Sequence, residues 1–297
     1  MKEIENPWQN LPHLPPYVLP QDKEVVEAYN LNNINTTYKL RVDVMPVPFI
    51  GDVKNSEIVI LLANPKFVDE WVEIERNHPI VREKYLKVFA HNSDFPFFCL
   101  DPSLKFGNEY GLGEKYWRDR LKDLNDYYNS EDEVLKKISV IQFNPYSSVN
   151  FKSTKKLSSQ DYNFYLVRKA IERNAKIILA RGKKLWLKNV PELQYYPYLT
   201  LKSHINTYLS KQNCPDLFKN SNNMKKNDSE GIQNFTVYPI RKNKDEDYDT
   251  LIISGSGRSF SNCKLEVSEG VAIFRSKSNE VEGVFSLNKF FIINDYS

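Results

Sequence analysis

Short apolar runs that alternate with helical patterns are the feature that most constrains the fold of this chain. Each run is followed by a turn or by a polar residue, and an uninterrupted run of this length is typical of a strand buried on both faces. The runs lie at residues 57–63, 138–143 and 176–180, with a shorter fourth at 198–201. Between them, apolar residues recur at helical spacing, as in Trp117, Leu121 and Leu124. Strands that alternate with helices predict a parallel sheet covered on both faces. We therefore expect a three-layer α/β/α fold around a central, mainly parallel sheet of four strands.

The composition changes along the chain and suggests its domain organisation. The first 21 residues contain five prolines and predict an extended arm over a surface. A stretch rich in Asn, Lys, Ser and Asp precedes a C-terminal part with several β-type runs. The expected divisions are an N-terminal arm with a short helix (1–43), an α/β domain (44–215), a linker (216–231) and a small β-rich C-terminal region (232–297).

Charge, hydropathy and cysteine content narrow the class of protein. The net charge of +3 is mildly basic, and the sequence has no apolar run as long as a membrane span and no signal peptide. The three cysteines, Cys99, Cys214 and Cys263, are widely spaced. An odd number without a CxxC pair argues against a disulfide framework or a zinc site, and the four histidines have no metal-ligand spacing. We expect a soluble, cytoplasmic protein without a metal or other cofactor.

Polar segments follow all four predicted strands. Because ligands bind beyond the carboxyl ends of the strands in an open parallel sheet, these segments are expected to meet at one rim. They are Asn64-Pro65, Asn144-Pro145, Arg181-Gly182-Lys183-Lys184 and residues 203–210. Taken one at a time, each has an ordinary interpretation as a turn, a solvated helix start or a structural histidine. Their occurrence together and in order favours a functional site.

In that order, the segments resemble the motif set of the uracil-DNA glycosylase superfamily over about residues 44–215. Gly51-Asp52 before an apolar strand that ends in Asn64-Pro65 is similar to motif A, in the form found in the mismatch-specific branch. Residues 203–210 resemble motif B, and His204 stands at the position of the histidine of that motif. Two features depart from the family pattern: Ile205 and Asn206 replace the usual Pro and Ser, and motif A has no carboxylate at Asn64.

The resemblance implies an enzyme that turns a base out of DNA and hydrolyses its N-glycosidic bond. Extruding the base costs a few kcal/mol, and stacking on an aromatic ring returns about 1–3 kcal/mol. Phe97 or Phe98 would provide that ring, and Asn144 would read the edge of the base. Asn64 would position the attacking water, while His204 would donate to the departing base. The residues expected to contact DNA are Ser203, Asn206 and Ser210 at phosphates, Tyr208 as the wedge in the base stack, and Arg181, Lys183 and Lys184 along the backbone.

Three functional hypotheses follow from these patterns. The first is a DNA glycosylase for uracil, a mismatched pyrimidine or a modified base, acting in repair or in anti-phage defence. The second is a non-catalytic module that keeps the fold and binds nucleic acid or a modified base. In the third, the C-terminal β-rich region binds a protein partner and the glycosylase-like part is a structural remnant. DNA is the expected partner in the first two, and no membrane partner is expected.

Overall fold

The chain forms two compact units, Met1–Lys219 and Asn220–Ser297. The computed structural model describes residues 3–104, 113–203, 207–219, 233–242, 251–253, 258–268, 271–275, 281–286 and 290–295. The N-terminal residues pack into the first unit. Trp8 lies in a short 3-10 helix, is fully buried and contacts the rings of Phe89 and Tyr146.

Helices and strands alternate along the first unit, as predicted. Its described helices are α1 (Lys23–Leu31), α2 (Glu70–Asn77), α3 (Pro79–Phe89), α4 (Glu114–Tyr128), α5 (Glu131–Lys137), α6 (Gln160–Glu172) and α7 (Lys183–Asn189). Its described strands are β1 (Phe49–Gly51), β2 (Ile58–Leu62), β3 (Ile138–Gln142), β4 (Lys176–Leu179) and β5 (Leu199–Thr200). The result is a mixed α/β fold of the expected three-layer kind.

The sheet has the order β1-β3-β2-β4-β5 and contains one strand more than predicted. The four expected strands, β2 to β5, are parallel, and β1 adds to β3 in the antiparallel direction. Every residue of β2 and β3 is buried, which explains their nearly continuous apolar sequence. Two residues of β3 are polar, Ser139 and Gln142. Ser139 is satisfied by a hydrogen bond between its Oγ and Ser56 Oγ at 2.6 Å.

Helix packing confirms the predicted stripe on α4, whose Trp117, Leu121 and Leu124 are buried. The N-terminus of α6 is stabilised by a residue from another helix. Residues 158–161 resemble a capping box, but the side chain of Ser159 caps nothing. Instead Asp22, at the start of α1, accepts a hydrogen bond from Ser159 N at 3.0 Å and brings a carboxylate to the helix N-terminus.

Strand order fixes where a ligand can bind. The chain passes from β2 to β3 on one side, then crosses to β4 on the other side of β2. Such a reversal opens a crevice beyond the carboxyl ends of the two strands that flank it, here β2 and β4.

The second unit is β-rich, as expected. Its described strands are β6 (Gln233–Lys242), β7 (Leu251–Ile253), β8 (Arg258–Ser268), β9 (Val271–Arg275), β10 (Val281–Ser286) and β11 (Phe290–Asp295). They pair antiparallel in the order β10-β9-β8-β6-β11, with β7 also on β6.

None of the helices in the described ranges is long and apolar enough to cross a membrane.

Candidate functional site

A cavity of about 1190 Å³ lies at the strand reversal. Its wall includes residues 62–66 at the end of β2, residues 179–183 at the end of β4 and residues 200–201 at the end of β5. Helix α4 and the segment around Phe98 also line it. Two of the four predicted strand-end segments therefore contribute to one cavity, through Asn64 and Pro65 and through residues 181–183. The described residues of the other two segments, Asn144-Pro145 and 203–210, are not part of its wall, and the end of β3 contributes through Gln142 instead.

Asn64 lines this cavity with a fixed orientation. Its Nδ2 donates to Ser148 Oγ at 2.9 Å and to Pro65 O at 3.1 Å. Ser148 Oγ in turn donates to Asn150 O at 2.8 Å. No described residue donates to Asn64 Oδ1, so this carbonyl is available to a ligand or to water.

Gln142, at the end of β3, is the amide that lines the cavity, and the sequence contains no motif that marks it. Gln142 is 3% exposed and lines the cavity, and its Oε1 is buried without a hydrogen-bond partner among the described residues. Asn144 is 1% exposed and does not contribute to the cavity wall. Its Oδ1 accepts from Tyr146 N at 3.0 Å, so this amide builds the turn after β3.

The two candidate aromatic residues differ in position. Phe98 lines the cavity and packs against Tyr85, with ring centroids 4.4 Å apart. Phe97 is equally buried, but it packs edge-on against Trp117 and lies outside the cavity wall. Of the pair, Phe98 is the ring that a ligand would meet.

Tyr85 adds a hydroxyl to the wall, and no sequence motif marks this residue. The residue lines the cavity, and its hydroxyl makes no hydrogen bond to the described residues. Burial raises the pKa of Tyr85 well above its usual value, and the nearby Glu75 adds to the shift. Tyr85 therefore stays protonated and can donate. Burial also raises the pKa of the Cys99 thiol in the same wall, which excludes it as a thiolate nucleophile at neutral pH.

Charged residues in the wall have one sign. Arg181 and Lys183, both predicted for DNA contact, line the cavity together with Lys66 and Arg120. Among the described lining residues there is no Asp or Glu. Lys184 is exposed and lies outside the wall. A concave surface whose described charged residues are all cations concentrates an anionic ligand such as nucleic acid.

The segment that resembles motif B is described at its two ends, whereas His204 and Asn206 lie outside the described residues. Asn213 organises the described part: its Oδ1 accepts from Ser203 N at 2.7 Å, and its Nδ2 donates to Tyr208 O at 2.8 Å. Ser210 Oγ accepts from Asn213 N at 3.1 Å. Tyr208 is 37% exposed, an accessible aromatic side chain as a wedge would require.

Glu75 is a partly exposed residue close to this site, and its carboxyl oxygen Oε1 is buried. Its Oε2 accepts from Met45 N at 2.8 Å, while Oε1 is buried without a partner among the described residues. Burial raises the pKa of Glu75 to about 8, and the charge of Asp43 acts in the same direction. Glu75 is therefore largely protonated at neutral pH and does not add a negative charge beside the cavity.

The described ranges contain few residues that could bind a metal ion or take part in redox chemistry. They contain no cluster of three or more His, Cys, Asp or Glu side chains that could hold a metal ion. Cys99 and Cys214 are both buried and free.

Comparison of the chain with protein-family models, with curated proteins and with solved structures gives no match.

Proposed function

We propose that this protein is a DNA glycosylase that turns a uracil-like or modified pyrimidine out of DNA and hydrolyses its N-glycosidic bond. The observation that carries the proposal is the unpaired amide of Gln142, buried in a cationic cavity that also contains Asn64 and Phe98. The motif resemblance supports the same assignment. The order of the strands supports it too, because the cavity lies where such sheets bind ligands.

Base recognition follows from the chemistry of the amide. A buried carbonyl without a donor costs about 1–3 kcal/mol, which a ligand N–H returns on binding. The edge of uracil offers an N–H beside a carbonyl oxygen, and the donor and acceptor of Gln142 complement that pair. Phe98 provides an apolar ring for stacking.

Hydrolysis requires a positioned water and stabilisation of the departing base. Asn64 Oδ1 accepts a hydrogen bond from the water, and the hydrogen bond from Asn64 Nδ2 to Ser148 Oγ keeps the amide in a fixed orientation. An amide does not deprotonate water, so the rate is modest. His204 is the proposed donor to the negative charge on the departing base, with the protonated hydroxyl of Tyr85 as a second donor. One such donor contributes about 10²–10³-fold in other enzymes.

Mass-spectrometric detection of free bases released from DNA tests the proposal. The substrates are duplexes with uracil, mismatched pyrimidines or modified pyrimidines, followed by phage DNAs that carry modified bases. We expect release of one pyrimidine class by the wild type and about a hundredfold loss in Asn64→Ala and in His204→Ala. Asn144→Ala is the matched amide control and should retain much more activity. Release that is unchanged in both Asn64→Ala and His204→Ala contradicts the assignment of the site.

A second candidate is a non-catalytic protein that binds a flipped or modified base. One observation favours it: no carboxylate lines the described part of the cavity, so no strong base is available there to activate water. Tight, base-dependent binding to DNA without release of any base would select this alternative. Failure to bind or cleave any of the DNA substrates would contradict both.

A further inference from the structure

Arg120 occupies a rigid position in the cavity wall. Its guanidinium lies 3.3 Å from the ring centroid of Tyr116 and 5.0 Å from that of Tyr208. Nε donates to Thr207 Oγ1 at 3.1 Å, and Nη1 donates to Tyr116 O at 3.0 Å. These contacts hold a planar, fork-shaped donor in one orientation before any ligand arrives.

The charge of Arg120 has no acidic partner among the described residues. Arg118, two positions earlier on α4, illustrates the usual arrangement because it pairs with Glu114 at 2.7 Å and also with Glu131. Nη2 of Arg120 donates no hydrogen bond to a described residue, and the side chain lines a wall without carboxylates. A partly buried guanidinium without a counter-ion is stabilised when an anion binds.

Arg120 is also attached to the segment that resembles motif B. Its carbonyl accepts from Leu209 N at 3.1 Å, and Asp123, one turn further along α4, accepts from Lys211 N at 2.9 Å. Any anion at the guanidinium therefore lies next to the residues 207–211. Because Tyr116 covers a face of the guanidinium, its edge is the part that remains for a ligand, and a donor edge suits a phosphate better than a stacked base.

We propose that Arg120 binds a phosphate of the nucleic-acid backbone beside the nucleotide that enters the cavity. This inference rests on the proposed function, since it requires that DNA is the ligand. It assigns an electrostatic contact to helix α4, which contains none of the residues of the motif resemblance. A held guanidinium would fix the register of the backbone, while Gln142 reads the base.

The test uses a fluorescent duplex with one tetrahydrofuran abasic site, so that base recognition does not contribute. Binding is measured by anisotropy over a series of salt concentrations. We expect Arg120→Gln to weaken binding about tenfold and to lower the slope of log K against log salt by about one, the loss of one phosphate contact. Lys122→Gln is the control, because Lys122 is an exposed cation on the same helix and lies outside the wall. It should change affinity less than twofold.

A second measurement does not depend on the folding of a variant. Wild-type protein is titrated with the same duplex carrying one neutral methylphosphonate at each position near the abasic site. One position should weaken binding about tenfold, and Arg120→Gln should be insensitive to it. Equal effects of Arg120→Gln and Lys122→Gln, or no sensitive position, overturn the inference even if bases are released. A wild type that does not bind this duplex at all overturns the inference and the proposed function together.

Discussion

Asn64 Nδ2 donates a hydrogen bond to Ser148 Oγ at 2.9 Å, and this contact joins the segments that follow the neighbouring strands β2 and β3. Backbone hydrogen bonds run alongside it, from Phe67 N to Ser148 O at 3.0 Å and from Ser148 N to Pro65 O at 3.4 Å. These contacts fix the orientation of the Asn64 amide. Its Oδ1 therefore accepts a hydrogen bond from a ligand or water in a single direction.

Ser148→Ala removes the acceptor that orients Asn64 without touching the ligand-facing atom. We expect base release at saturating substrate to slow about tenfold, because a single hydrogen bond contributes roughly 0.5–1.5 kcal/mol. The apparent KM should change little, since Gln142 and Phe98 remain. Single-turnover kinetics on the preferred duplex measure both quantities.

Ser147→Ala is the matched control for this experiment. Ser147 is adjacent and equally buried, but its Oγ has no hydrogen-bond partner among the described residues. It should release base at the wild-type rate. If both serine variants slow the reaction equally, the contact between Ser148 and Asn64 does not act through orientation.

Gln142→Leu should make the protein more stable and less able to bind its ligand. The substitution removes a buried carbonyl without a partner, which costs about 1–3 kcal/mol. For a unit of this size, about 1 kcal/mol raises Tm by about 2–4 °C. All four tryptophans lie in the first unit, so fluorescence-monitored melting reports on it. Discrimination among bases should be lost in the same variant.

Gln160→Leu provides the contrast. Gln160 is 1% exposed, but its Oε1 accepts from Leu157 N at 2.9 Å and its Nε2 donates to Phe143 O at 2.7 Å. Its replacement leaves two buried backbone groups unpaired and should destabilise the unit by about 2 kcal/mol or more. A destabilised Gln142→Leu variant would mean that the amide of Gln142 is structural.

The sequence was sufficient to predict the four parallel strands of the sheet, because strands buried on both faces are nearly continuous in apolar residues. It did not predict β1, whose three residues lie in a proline-rich entry and are too few to form a pattern. It also pointed to Asn144 where the cavity holds Gln142. Residues two apart share a face of a strand, so the pattern cannot tell which one reaches a ligand. In the structure, the turn after β3 uses the side-chain oxygen of Asn144 as the acceptor for Tyr146 N, so Asn144 is not available to a ligand through that atom.

Arg120 had no sequence signal of its own. Its position on α4 is next to the buried stripe, where a cation is ordinary on any amphipathic helix. The role proposed for Arg120 depends on its contact with Thr207, which is 87 residues away in the chain. Contacts of this kind depend on how a loop folds over a helix, and periodicity contains no information about that.

Glu75→Gln should change how stability depends on pH. The pKa of Glu75 is about 8 in the folded protein and about 4.5 when exposed, so folding favours its protonated form. Its contribution to stability is complete below pH 4.5 and is lost as pH rises towards 8. The glutamine variant resembles the neutral acid and should melt several degrees above wild type at pH 8, with the difference vanishing near pH 4.5. Glu73→Gln, at an exposed position of the same helix, should leave the profile unchanged.

Gly51→Ala and Gly182→Ala separate backbone strain from steric overlap. Both glycines have positive φ, +84° and +75°. A Cβ at Gly51 would lie 2.5 Å from Ile138 O in the central sheet, whereas at Gly182 the nearest atoms are 3.7 Å away. Gly182→Ala should therefore cost only the left-handed strain of about 1 kcal/mol, while Gly51→Ala adds overlap with backbone and should cost about 3 kcal/mol. Urea unfolding followed by tryptophan fluorescence measures both. Equal losses of unfolding free energy in the two variants would show that β1 can move away from β3 to relieve the overlap. The edge of the sheet formed by β1 would then be less rigid than its pairing with β3 suggests.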